Sequence, residues 1–208
     1  GAGGLFSVPA TLTESFVVCA SQDKPLVLLA LLRGVARGSC RLAVVFTSSV
    51  DSTHRLFRLL QIFGGFERGG SDGGGVFGGD GGVAEFSSGL TREQRTRLVQ
   101  RAGKGLVRVI VCSDSMARGM DLEGVGLVVN YDVPPYPKTY VHRVGRTARA
   151  GCHGEAITIA KQGQVRHFER VRAGVDGRQV RRATVGAVAM QALAGRCQRS
   201  LSRLREVL

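Results

Sequence analysis

Five short runs of almost uninterrupted aliphatic and β-branched residues recur along this chain of 208 residues: FVVC at 16–19, LAVVF at 42–46, VRVIVC at 107–112, GLVVNY at 126–131 and EAITIA at 155–160. A strand covered on one face alternates apolar and polar side chains, whereas a strand covered on both faces stays apolar throughout. These runs therefore read as strands of a parallel sheet with helices on both faces. The intervening segments supply the helices. Residues 24–37 place Leu28, Leu29, Leu32 and Val35 at helical spacing; 51–63 open on Asp51 as a cap and carry Leu56, Leu59, Leu60 and Phe63; 91–102 open on Thr91 as a cap. Strand and helix in alternation give right-handed βαβ units and one α/β, doubly wound sheet.

One segment breaks the rhythm. From 64 to 82 the chain reads GGFERGGSDGGGVFGGDGG, with little to bury, and it is expected to be a mobile loop leading into a short strand at 83–86. It is not a phosphate-binding glycine loop, because no Gly-Lys-Ser/Thr follows. The segment 187–208 is helical, with Leu193, Cys197, Leu201, Leu204 and Leu208 on one stripe and Arg196, Arg199 and Arg203 on another side. Its expected place is against the domain's own sheet, ahead of the alternative that it binds a partner.

Charge narrows the partners. The formal net charge is +13, from 29 Lys and Arg against 16 Asp and Glu, which favours a polyanion such as nucleic acid. Residues 161–208 hold 11 basic and 3 acidic side chains, so much of the excess lies late. No apolar run approaches the ~20 residues that span a bilayer, so no membrane is expected. Five scattered cysteines without a C-x-x-C pair exclude zinc spacing and suggest reduced intracellular thiols. The start, GAGGLFSVPA, lacks both an initiator Met and signal-peptide grammar, and the chain is expected to be a segment of a longer protein.

The chemistry-bearing residues follow the strands, where open α/β sheets bind ligands. TSSVDS stands at 47–52, SSGLTREQR at 87–95, SDSMARGMD at 113–121 and HRVGRTARAG at 142–151. The last places Arg143, Arg146 and Arg149 three residues apart. Crowded guanidinium groups repel one another, so such a row implies an anion. Gly145 is expected at a helix start and Gly151 at its end.

In this order these motifs resemble those of DEAD-box RNA helicases, in their C-terminal RecA-like domain. TSSVDS is similar to motif IV, SDSMARGMD to motif V (usually T-D-x-x-A-R-G-x-D) and HRVGRTARAG to motif VI (usually H-R-I-G-R-T-x-R-x-G). The similarity runs from about 11 to 160, and the wording at 77–88 and 128–151 is nearest the Dbp6-like branch, tied to large ribosomal subunit assembly. Ser113 stands for the usual Thr and keeps its hydroxyl; the 64–82 stretch is an insertion. A Walker A loop, an Asp-Glu-Ala-Asp box and an adenine-reading Gln motif are not in this sequence.

The resemblance implies roles residue by residue. Arg146 and Arg149 match arginine fingers that meet the γ-phosphate of ATP across an interdomain cleft, where a planar, permanently charged fork suits phosphate oxygens. His142 and Arg143 match positions that couple to the other domain. Asp121 and Gly119 match the ribose and nucleotide side. Ser48, Ser49, Gln94, Arg95, Ser113, Asp114, Arg118 and Gly119 match an RNA surface that touches phosphate and 2′-hydroxyl and is therefore indifferent to base sequence. Taken singly, Asp114 is better read as a cap of the short helix after it, and Arg118 as an ion-pair partner of Asp121 or Glu123; taken as an ordered set beside HRVGRTARAG, they are read as the RNA surface.

Implied partners are RNA, the N-terminal RecA-like domain, which would hold ATP and Mg²⁺, and pre-ribosomal particles; the implied place is the nucleus or nucleolus. The expected organisation is a linker remnant at 1–10, a RecA-like domain at 11–175 and a basic helical extension at 176–208. Two rivals stand beside this reading. Other superfamily 2 helicases usually begin motif VI with Gln rather than the His142 found here. A catalytically silent RNA- or protein-binding scaffold would have no use for Arg146 and Arg149.

Overall fold

Every residue of β3 (Leu42–Thr47) and β5 (Val109–Ser113) is buried, as their unbroken apolarity requires of strands covered twice. They are central in a seven-stranded sheet of order β4-β5-β3-β6-β7-β2-β9, with β2 at Leu12–Val18, β4 at Val83–Phe86, β6 at Val125–Asn130, β7 at Gly154–Ala160 and β9 at Arg181–Ala183. Each of its pairings is parallel. The computed structural model describes residues 6–36, 40–67, 82–114, 122–176 and 179–207.

The two-residue period of the strands divides the interior into two cores. Ala43, Val45, Val109, Val111, Leu127, Val129, Ile157 and Ile159 face α1 (Lys24–Ala36), α2 (Val50–Glu67) and the C-terminal helix α6 (Ala187–Val207). Leu42, Val44, Phe46, Ile110, Cys112, Val128 and Ala156 face α3 (Arg92–Gly103), α4 (Pro137–Val144) and α5 (Val165–Ala173). A parallel sheet clothed on both sides is the doubly wound arrangement expected.

Several elements differ from their sequence-based expectation. α2 runs on to Glu67, so the first four residues of the glycine-rich stretch are helical. The Gly82 carbonyl at its other end accepts hydrogen bonds from the amides of Arg108 and Val109. The expected mobile segment between them, 68–81, lies outside the described residues. The α2 start is capped by the Ser49 hydroxyl, which accepts from the Ser52 amide at 3.1 Å; Asp51 sits in the first turn. Residues after 176 are part of the same body: β9 pairs with β2, and α6 buries Leu193 and Cys197 in the same core as α1 and α2 and packs on both helices. At the start, β1 (Phe6–Ser7) pairs with β8 (Val175–Asp176) in a separate two-stranded ribbon.

Candidate functional site

The carboxyl ends of the central strands carry polar residues that hydrophobic burial alone would not select. Thr47 ends β3, Ser113 ends β5 and Asn130 ends β6, and all three are buried. A buried polar group without a partner is costly, so each should be tied into a network. Thr47 and Thr53 exchange a hydroxyl hydrogen bond at 2.6 Å, and Thr53 donates on to the Ser49 carbonyl at 2.8 Å. Asn130 donates to Thr158 Oγ1 at 3.0 Å, and its carbonyl oxygen accepts from Arg143 Nη1 at 3.3 Å.

Arg143 is the centre of this network. It is 1% exposed, lies 5.4 Å over the Phe46 ring, and donates bidentately to Asp114, Nε to Oδ1 at 2.5 Å and Nη2 to Oδ2 at 2.7 Å. Nη1 also donates to the Asp132 carbonyl at 2.6 Å. The fork thus joins the loops after β5 and β6 to α4. Within this domain the Arg143 guanidinium is engaged by Asp114, Asn130 and the Asp132 carbonyl. Both carboxylate oxygens of Asp114 are engaged by Arg143.

A second cluster sits beside it. Asp132 Oδ1 accepts from Lys24 Nζ at 2.6 Å, and Oδ2 accepts from the amide and hydroxyl of Ser48 at 3.0 and 3.1 Å. Burial alone would raise the Asp132 pKa; the Lys24 ammonium and the Ser48 donors outweigh it and hold the carboxyl below its ordinary value.

The row of arginines takes a different form from the one expected. Gly145 closes α4 at its C-terminus instead of opening a helix, so Arg146 and Arg149 sit on the loop that follows. Arg146 Nε donates to the His142 carbonyl at 3.2 Å and Arg149 Nε to the Gly145 carbonyl at 2.8 Å; both contacts are exposed, as is the His142 side chain. The loop is tightly shaped. Ala148 and Ala150, on either side of Arg149, have φ of +55° and +52°, a left-handed conformation that L-residues adopt only under constraint. Gly151, at +76°, completes the turn. The constraint is visible: Thr147 Oγ1 donates to the Val125 carbonyl at 2.5 Å, and a Cβ on Gly154 would stand 2.2 Å from Thr147 Oγ1 and 2.5 Å from the Ala148 amide. Only a glycine at the start of β7 lets this loop lie so close to the sheet.

The remaining expected residues are spread along the same rim. Ser48 and Ser49 are exposed after β3, the latter occupied as the α2 cap. After β4, Gln94 forms a reciprocal capping box with Thr91, its Oε1 accepting from the Thr91 amide at 2.8 Å. Arg95 donates to the Leu90 and Ser88 carbonyls at 3.1 and 3.4 Å and covers Phe86, bracing the turn before α3. Arg118, Gly119 and Asp121 lie outside the described residues.

Sequence reasoning missed Lys24, Asn130, Asp132 and Gly154. The signal for Asn130 was a polar side chain ending an apolar run. Lys24 and Asp132 are 108 residues apart and give no local sign of pairing.

Among known proteins, the helicase conserved C-terminal domain model matches residues 23–151. The chain belongs to this family, as a DEAD-box-type C-terminal RecA-like domain. Human ATP-dependent RNA helicase DDX51 is 38% identical over 208 residues, covering 99% of this chain and 28% of its own length. ATP-dependent RNA helicase dbp6 of Schizosaccharomyces pombe is 36% identical over 168 residues, covering 80% of this chain and 25% of its own. The chain thus spans little more than a quarter of such relatives. The structure of S. cerevisiae Dbp5 bound to RNA and ADP BeF3 superposes with a TM-score of 0.67 at 20% identity, covering 93% of this chain and 46% of that one, which fixes the RecA-like fold.

Proposed function

We propose that this chain is the second lobe of an ATP-dependent RNA helicase, working on RNA in ribosome assembly within the nucleolus. The observation that carries the reading is the loop of Arg146 and Arg149, held in a strained shape at the carboxyl rim of the sheet by Thr147, Gly154 and the buried Arg143 anchor. Strain of this kind is kept where surrounding structure over-determines it, typically at functional sites. Two guanidinium groups on one short loop fit the oxygens of a triphosphate, which would be presented by the N-terminal RecA-like domain. Their chemistry is to neutralise charge that develops on the transferred phosphoryl group.

Mg²⁺ belongs to that other domain in this proposal. The RNA face comprises Ser48 and Ser49, with Ser113 behind them and Arg118 and Gly119 in the adjoining motif, where Asp121 serves the ribose of ATP. Gln94 and Arg95 also support the neighbouring turn. No helix among the described residues is long and apolar enough to cross a membrane.

Single-turnover hydrolysis by the full-length protein at saturating ATP and RNA tests the proposal. Arg146→Ala and Arg149→Ala should each slow it by about 10³-fold or more, with nucleotide affinity changed far less. Lys in either place should rescue poorly, because an ammonium lacks the fork. Wild-type rates in both alanine variants would show that the loop is not a phosphate-facing device.

A further inference from the structure

Asp132 touches both halves of the site. Its carboxylate holds the loop after β3 through the Ser48 amide and hydroxyl, at 3.0 and 3.1 Å. Its main-chain carbonyl accepts from Arg143 Nη1 at 2.6 Å. Arg143 in turn grips Asp114 and stands three residues before Arg146 on the same chain segment. A single residue in the loop after β6 is therefore bonded on one side to the expected RNA loop and on the other to the anchor of the arginine loop.

The chemistry of Asp132 suits this and little else. Three donors converge on its two oxygens: Lys24 Nζ, Ser48 N–H and Ser48 Oγ. A carboxylate accepts all three, whereas an amide would turn its NH₂ against one of them. The lysine is the revealing partner. Lys24 is 4% exposed, at the first position of α1, with Nζ 4.3 Å over the Tyr131 ring. A buried ammonium requires a counter-charge, and supplying it fixes the Asp132 side chain in one orientation. With both carboxylate oxygens occupied, Asp132 is placed to hold Ser48 rather than to bind a ligand itself.

We propose that the Lys24–Asp132 pair is a positioning device that holds the Ser48 loop in register with Arg143, so that RNA engagement at the β3 loop is felt by the loop carrying Arg146 and Arg149. Asp132 acts through Ser48 and Arg143 and is not a catalytic residue. This rests on the helicase-lobe reading given above.

The test uses the full-length protein, with ATP hydrolysis measured against the concentration of single-stranded polyuridylate. Asp132→Asn should raise the half-activating RNA concentration about tenfold, the loss expected for hydrogen bonds to a charged group, with a much smaller change in rate at saturating RNA. Because Asp132→Asn strands the buried Lys24 charge and lowers stability, the double variant Lys24→Met with Asp132→Asn is measured beside it. The double variant should regain thermal stability yet keep the shifted RNA dependence. An unshifted RNA dependence in both variants overturns the proposal. So does a double variant whose RNA dependence recovers together with its melting temperature, since that assigns Asp132 to stability alone. Arg146→Ala separates the two levels of inference. If it hydrolyses ATP normally, the helicase-lobe reading fails; if it is inactive while Asp132→Asn responds normally to RNA, only the positioning role fails.

Discussion

Arg143 and Asp114 meet as a bidentate pair across 29 residues of sequence, with contacts of 2.5 and 2.7 Å. The pair is asymmetric: the arginine side chain is 1% exposed and the aspartate 31%. Removing the aspartate therefore strands a charge in the interior. Asp114→Ala should destabilise this chain by about 3 kcal/mol, the range seen when one member of a buried pair is lost. Asp114→Asn, which keeps one acceptor, should lose less. Urea unfolding at neutral pH measures both, and equal, negligible losses would place the stabilisation elsewhere.

Gly154 offers a prediction that links backbone to site. Its absent Cβ leaves room for the Ala148 amide, which a methyl would approach to 2.5 Å, and backbone cannot swing aside as a side-chain tip can. Gly154→Ala should cost about 1–3 kcal/mol as an overpacking change and disturb the loop of Arg146 and Arg149. Gly163→Ala, with nothing within 4 Å of its Cβ position, is the matched control and should be silent in thermal unfolding.

Gln94 separates capping from RNA contact. As the N3 member of a capping box it should lose about 1 kcal/mol of stability on Gln94→Ala, and Gln94→Glu should retain it because a carboxylate still accepts from the Thr91 amide. RNA affinity of the full-length protein should follow neither change closely. A large affinity loss in Gln94→Glu with unchanged stability would assign it a direct RNA role.

Asp132 should make the domain acid-sensitive. Its folded pKa lies below its unfolded one, because the Lys24 ammonium and the Ser48 donors outweigh burial. The stability it contributes is present above the unfolded carboxylate value of about 3.9 and is lost as pH falls through the lower folded value. Asp132→Asn should thus be less stable than wild type at pH 7, with the difference shrinking as the medium is taken below about pH 4. Denaturant midpoints across that range check it; a constant difference would mean that the carboxylate charge is not the source.

The amino-acid sequence by itself determined the architecture. Uninterrupted apolarity in LAVVF and VRVIVC can be satisfied only by strands buried twice, and Leu28, Leu29, Leu32 and Val35 at helical spacing can be buried only by a helix lying on that sheet. Thr91 declared the start of α3. Such signals are local: a period of two or 3.6, or a polar side chain within reach of its own backbone. The tertiary structure decided the site. Whether Arg143 would point outward or become the buried clasp of Asp114, Asn130 and Asp132 depended on where the ends of β5 and β6 fall beside α4. The pairing of Lys24 with Asp132 depended on α1 and the loop after β6 meeting across the sheet, and the left-handed Ala148 and Ala150 on Gly154 leaving space in another strand. Hydrogen bonds and ion pairs between distant segments are short-range forces without sequence periodicity, so they become legible only once the fold has brought their partners within about 3 Å.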